Sequence, residues 1–98
     1  MQNYQLDEIT EHDILSDEPE AKVVLFNDDY HTFDEVIFQI IKACNYPVHQ
    51  AEQISVIVHT KGKATVITTG FERCLEVAAV LQEIDLLVDI EPVEALGR

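Results

Sequence analysis

Apolar residues along this chain recur first in a strand-like run and then at helical spacing. The run of residues 22–26 ends abruptly at Asn27, Asp28 and Asp29, which predicts a strand followed by a polar turn. Thr32 and Glu35 have the spacing of a capping box, so a helix is predicted over residues 32–44. Its apolar stripe comprises Phe33, Val36, Ile37, Ile40, Ile41 and Cys44.

The rest of the chain repeats both patterns. Pro47 suits the first turn of a second helix, which we expect to end at His59. Residues 63–69 alternate with several β-branched side chains, which favours a second strand. Thr69 and Glu72 again have capping-box spacing and predict a third helix, and residues 86–90 predict a third strand. We expect three residues of the third helix to lie in the core, namely Phe71, Leu75 and Leu81.

The element order β-α-α-β-α-β predicts an α+β domain, with helices packed on one face of a three-stranded sheet. Residues 1–21 carry seven carboxylates and no Lys or Arg. Such a composition cannot bury enough apolar surface to offset its ordering entropy, so it predicts a flexible acidic tail before a core domain at residues 22–98. A short helix around residues 6–15 is the alternative for this segment.

The charge balance narrows the class of partner. Nineteen acidic against six basic residues give a net charge of −13. Nucleic acids and anionic membrane surfaces require clustered Lys and Arg, so neither is expected as a partner. A cationic group, such as a free α-amine, is a better match. No apolar run approaches a membrane span and no signal peptide is visible, so we expect a soluble cytoplasmic protein.

Several polar residues are candidates for binding chemistry. An α-ammonium group offers three N–H donors and requires converging acceptors, which Asn27, Asp28 and Asp29 can provide together with the ring of His59. Taken singly, these residues are more typical of a turn and of a solvated helix end, and His12 and His49 are expected at the surface. Cys44 and Cys74 fall on apolar stripes and are expected as core thiols, with one disulfide as the alternative.

Three stretches of the sequence resemble the ClpS adaptor family in order and spacing. They are residues 22–30 (KVVLFNDDY), residues 58–64 (VHTKGKA) and residues 86–88 (LLV). The resemblance covers residues 22–91. It implies a three-stranded antiparallel sheet carrying three helices, in a monomeric adaptor that is not an enzyme and has no cofactor or metal. Such an adaptor binds N-degrons, that is, proteins with a free N-terminal Leu, Phe, Tyr or Trp. It hands them to the ClpA-type AAA+ unfoldase of the ClpAP protease.

The resemblance also implies roles for individual residues. It places the α-amine contacts at Asn27, Asp28, Asp29 and His59. It places the walls of the side-chain pocket at His31, Phe33, Val36, Ser55, Val58 and Leu86, and an unfoldase contact at Glu72.

This chain departs from the family pattern at three places. The family commonly has Thr-Pro-Met where this chain has His31, Thr32 and Phe33, and a methionine often stands at the position of Ser55. A lysine is frequent at the position of Val77. The preferred N-terminal residue and the partner unfoldase therefore stay open.

Other classes of protein share parts of this pattern. Paired aspartates at a strand end are also typical of a phosphoacceptor receiver domain, but that fold requires five βα units. A zinc site is a weaker alternative than the receiver domain, because Asp28, Asp29 and His59 supply only three ligands. A general interaction module that docks through apolar helix faces is the remaining alternative, and N-acetylation of a peptide distinguishes it from an N-degron reader.

Overall fold

The computed structural model of this chain describes residues 18–93. Three strands form one antiparallel sheet in the order β2-β1-β3, where β1 is Glu20–Phe26, β2 is Lys63–Gly70 and β3 is Leu87–Pro92. Val23 and Leu25 of the central strand are fully buried. The predicted α+β class, with an antiparallel three-stranded sheet and three helices, is confirmed. Five βα units are absent from the described residues, so the receiver-domain alternative is wrong. The predicted acidic tail lies outside the described residues up to position 17, as do the alternative helix and His12.

The three helices are α1 (Phe33–Cys44), α2 (Val48–Lys61) and α3 (Phe71–Leu81), and α3 continues into one 3-10 turn, Gln82–Ile84. Helix α3 packs across all three strands, α2 packs on β2, and α1 packs against α2 and α3. Their apolar faces meet the sheet in a single core. The central strand, which carries the polar turn at its end, is thereby packed against the helices.

Local signals explain most helix ends. The capping box at Thr32 is formed, because its Oγ1 accepts from Glu35 N–H at 3.1 Å while Glu35 Oε1 accepts from Thr32 N–H at 2.8 Å. Helix α2 ends at Lys61 rather than at the predicted His59. The reason is Gly62, which adopts a left-handed φ of 94° and donates its N–H to Val58 O. Pro47 is the N-cap of α2 rather than a first-turn residue.

The start of α3 differs from the prediction. The expected Thr69–Glu72 capping box is absent, and Gly70 is the N-cap. Glu18 supplies the missing acceptor, since its Oε1 accepts from Glu72 N–H at 2.9 Å. A methyl group on Gly70 would approach Glu18 Cδ to 2.9 Å, so glycine leaves the room for this contact. Strand β1 begins at Glu20, and the last two residues of the predicted tail therefore belong to the sheet.

The third helix also corrects part of the predicted core. Leu81 is fully buried, but Phe71 and Leu75 are 42% and 48% exposed. Helix α3 turns a narrow stripe towards the sheet, formed by Cys74, Val77, Ala78 and Leu81, so the two larger side chains lie beside the contact rather than in it. Cys44 and Cys74 are buried free thiols, and burial raises the pKa of each.

Candidate functional site

The polar turn after β1 is tied to the end of α2. Asn27 N–H donates to Gly62 O at 2.9 Å, where the chain leaves α2. Phe26, the last residue of β1, is the register partner of Lys63, whose ammonium lies 5.9 Å from the centroid of the Phe26 ring, within the range of a cation–π contact. These links fix the position of Asn27 relative to the last turn of α2, which carries His59.

Asp28 organises the rest of the turn. Its Oδ1 accepts from the backbone N–H of Tyr30 at 2.8 Å and of His31 at 2.9 Å. Its Oδ2 contacts Nδ1 of the His31 ring at 2.8 Å, and the other ring nitrogen of His31 reaches Ile84 O. His31 therefore joins the turn to the 3-10 turn that precedes β3.

Both ring nitrogens of His31 face acceptors, which favours the doubly protonated imidazolium. The hydrogen bond to Asp28 raises the pKa of His31, burial opposes this effect, and the bond to Ile84 O adds to it. For Asp28, burial alone would raise the pKa. The hydrogen bonds from the backbone N–H groups of His31 and Tyr30 and from the His31 ring outweigh burial, so the pKa of Asp28 is lowered. The two residues form an ion pair whose Asp28 side chain is only 9% exposed.

A cavity of about 480 Å³ opens between this turn, the start of α1 and the end of α2. Phe33 stands at its rim and is 44% exposed, whereas Ser55 and Val58 are 2% and 4% exposed and form its inner wall. The residues that line the cavity are Asn27, Asp28, Asp29, His31, Phe33, Val36, Ser55, Val58 and His59. The structure thus brings together all the predicted α-amine and pocket residues except Leu86.

Leu86 is not among the residues that line this cavity. It is 4% exposed and lines a smaller void of about 20 Å³, which it shares with Val36, Val58 and His31. Val36, Val58 and His31 also line the larger cavity. The role of Leu86 in the pocket wall therefore stays a prediction.

The polar side chains at the cavity divide into two groups. Asp28 and His31 are engaged with each other and with the backbone. Within residues 18–93, the side chains of Asn27, Asp29 and His59 accept no hydrogen bond, and all three are exposed. The rim of the cavity consequently offers unused acceptors next to an apolar interior.

Sequence reasoning missed one feature of this site. His31 was expected as a pocket wall, and it does line the cavity, but it also connects Asp28 to Ile84 O. The Asp-x-x-His spacing of residues 28–31 is a local signal for the first contact. The sequence carries no signal for the second contact, because its partners lie 53 positions apart.

Glu72 and Val77 lie at positions for which the family resemblance bears on contact with an unfoldase. Glu72 is exposed at the start of α3, where its backbone N–H is occupied by Glu18. Val77 is fully buried in the core, so it offers nothing to a partner. Among residues 18–93, no cluster of three or more His, Cys, Asp or Glu side chains could hold a metal ion. None of the helices described is long and apolar enough to cross a membrane.

Comparison with known proteins identifies the family to which this α+β domain belongs. A family model described as the ATP-dependent Clp protease adaptor protein ClpS matches residues 16–86. The chain therefore belongs to the ClpS family.

Individual relatives agree with this assignment. The ATP-dependent Clp protease adapter proteins ClpS of Salmonella paratyphi B (strain ATCC BAA-1250 / SPB7) and Salmonella newport (strain SL254) are each 40% identical over 60 residues. The match covers 61% of this chain and 57% of the length of each relative. Among solved structures, Agrobacterium tumefaciens ClpS2 bound to L-phenylalaninamide superposes with a TM-score of 0.73 at 20% identity. That match covers 78% of this chain and 99% of the other, and it shows a shared fold.

Proposed function

We propose that this chain is an adaptor that binds the free N-terminal residue of substrate proteins and delivers them to a ClpA-type AAA+ unfoldase for degradation by ClpP. The preferred N-terminal residues are Leu, Phe, Tyr and Trp. One observation carries the proposal, namely a single cavity with unused acceptors at its rim and an apolar interior. A protein N-terminus has the complementary shape, because its ammonium group and its first side chain leave the same Cα atom.

The ammonium group binds at the rim. Asn27, Asp29 and His59 provide acceptors that no other residue between positions 18 and 93 uses, and the Asp29 carboxylate supplies the opposite charge. Charge-assisted hydrogen bonds of this kind are about twice as strong as neutral ones. Asp28 contributes its remaining lone pair and, more importantly, holds the turn in place. With His31 protonated, the Asp28–His31 pair is neutral, so Asp29 carries the net charge of the turn.

The first side chain of the substrate enters the interior. Val36 and Val58 provide apolar surface, Phe33 covers the entrance, and Ser55 lies on the inner wall. Leu86, which shares a small void with Val36 and Val58, completes the pocket wall in this proposal. The Agrobacterium tumefaciens structure contains L-phenylalaninamide, a compound with a free α-amine and an apolar side chain, which supports this type of ligand.

Delivery uses surfaces outside the cavity. We assign the unfoldase contact to the exposed Glu72 and handover to the acidic N-terminal residues, whose seven carboxylates lie at positions 7–20. The protein then acts by binding alone, as a cytoplasmic monomer, without catalytic chemistry or a cofactor.

The decisive comparison uses a fluorescent peptide that begins with Leu, in its free form and in its N-acetylated form, by fluorescence anisotropy. Acetylation removes the charge and two donors, so it should weaken binding by at least about 2 kcal/mol, which is about thirtyfold. Asp29→Asn should weaken the binding of the free peptide and leave the affinity for the acetylated peptide unchanged. Equal affinity for both peptides would contradict the proposal and favour the general interaction module, which does not read the N-terminus.

A further inference from the structure

Ser55 lines the cavity and carries a buried hydroxyl group that no described residue engages. Its side chain is 2% exposed, and within residues 18–93 its Oγ is the one buried side-chain oxygen or nitrogen atom without a hydrogen-bond partner. A buried serine in a helix commonly donates to the carbonyl four residues earlier, but Ser55 makes no such bond to Ala51 O. Because an unpaired buried hydroxyl is unfavourable, this position favours a ligand that supplies the partner.

The position of Ser55 indicates which part of a ligand it meets. Ser55 and His59 are four residues apart on α2 and therefore share one face of the helix. They are separated along the helix axis by about 6 Å, which matches the reach of a tyrosine side chain from Cα to hydroxyl. His59 is exposed at the rim, whereas Ser55 is buried. An N-terminal residue whose ammonium group lies near His59 thus directs the tip of its side chain towards Ser55.

Other polar groups do not compete with Ser55 in the interior. Asp28 and His31 already bond to each other, and the adjacent walls are the apolar Val36 and Val58. A phenylalanine guest leaves the hydroxyl of Ser55 dry and unpaired. A tyrosine guest pairs with it, and the phenol both donates and accepts, so either orientation of the serine hydroxyl is satisfied.

We infer that Ser55 is a specificity residue that selects N-terminal tyrosine over phenylalanine through a hydrogen bond to the phenol oxygen. This inference rests on the proposed function, since it requires the N-terminal side chain to enter this cavity. A buried site that offers a hydrogen bond discriminates against the ligand that lacks the partner group. One neutral hydrogen bond is worth about fivefold in affinity.

The test compares peptides that differ only in the first residue, which is Tyr, Phe or 4-methylphenylalanine, with fluorescence anisotropy as the readout. In the unmodified protein, we expect Tyr to bind about fivefold more tightly than Phe. The 4-methyl compound has the size of tyrosine without its hydrogen bond, so it should bind no better than Phe. Ser55→Ala should bring the Tyr and Phe affinities within about twofold of each other.

Thr60→Ala is the matched control, because it removes a hydroxyl from the same helix outside the cavity, where Thr60 Oγ1 donates to Val56 O at 2.8 Å. It should keep the preference for Tyr. Equal binding of Tyr and Phe, equal binding of Tyr and the 4-methyl compound, or a preference that survives Ser55→Ala overturns the role of Ser55 while the proposed function stands. If the unmodified protein binds none of these peptides, or binds them equally after N-acetylation, both the role of Ser55 and the proposed function are overturned.

Discussion

Replacing Asp28 by alanine should destabilise the protein as well as weaken ligand binding. The carboxylate accepts from two backbone N–H groups and from the His31 ring, at distances of 2.8–2.9 Å. Bonds to charged acceptors are worth about 1.5–3 kcal/mol each, but the bond from Tyr30 is exposed and contributes less. We therefore expect Asp28→Ala to lower the free energy of unfolding by about 3 kcal/mol. In a domain of this size, that loss corresponds to a fall in Tm of about 15 °C.

The neighbouring aspartate provides the control. Asp29 makes no hydrogen bond among the described residues, so Asp29→Ala should change stability by less than about 0.5 kcal/mol. Asp28→Asn keeps an acceptor for the backbone and should cost about 1 kcal/mol, mainly the ion pair with His31. Urea unfolding followed by circular dichroism measures all three variants. Equal stabilities for Asp28→Ala and Asp29→Ala would refute the assignment of Asp28 as the residue that holds the turn.

Three further predictions concern the rim, the acidic segment and the ion pair. Phe33 should exclude β-branched residues, so Ile-start peptides should bind at least about tenfold more weakly than Leu-start peptides, and Phe33→Ala should narrow this gap in the same anisotropy assay. Deleting residues 1–17 should preserve stability and peptide affinity but impair the degradation of a folded reporter by a ClpAP-type protease. Deletion through position 20 also removes Glu18 and should lower the free energy of unfolding by about 1 kcal/mol. Unimpaired degradation with the shorter deletion would exclude a role of residues 1–17 in handover. The pKa of His31 is raised and that of Asp28 is lowered. The ion pair therefore contributes fully to the free energy of unfolding between about pH 4 and 6.5. This contribution falls as the pH rises through the pKa of His31 and as the pH drops through the pKa of Asp28. The stability difference between the unmodified protein and His31→Gln should follow this profile, and a difference that grows above pH 7 would contradict it.

Local sequence patterns predicted the starts of helices correctly where the donor and the acceptor of the capping hydrogen bond lie within one helical turn. The capping box of Thr32 and Glu35 is an example, because its two hydrogen bonds join residues three positions apart. The same spacing at Thr69 and Glu72 failed, since Glu18, 54 positions from Glu72, occupies the N–H group instead. Sequence spacing carries no information about such distant competitors.

The candidate site shows the same limit. Nine of the ten predicted pocket and α-amine residues line one cavity. Their prediction came from the resemblance to a known family rather than from the spacing of the residues. The engagement of Asp28 by His31, the buried hydroxyl of Ser55 and the small void beside Leu86 depend on side-chain packing. Likewise, an apolar stripe predicts which face of α3 is buried, but not that the stripe is too narrow to include Phe71 and Leu75.

An NMR titration of the 15N-labelled full chain with a Phe-start peptide shows whether the N-terminal residue of a substrate binds in this cavity. We expect the largest amide shifts at Asn27, Asp29 and His59, and we expect the N-acetylated peptide to cause none of them. The apolar groove between Phe71, Leu75 and Val88 should remain unchanged. Shifts confined to that groove, or equal shifts with the acetylated peptide, would contradict the claim.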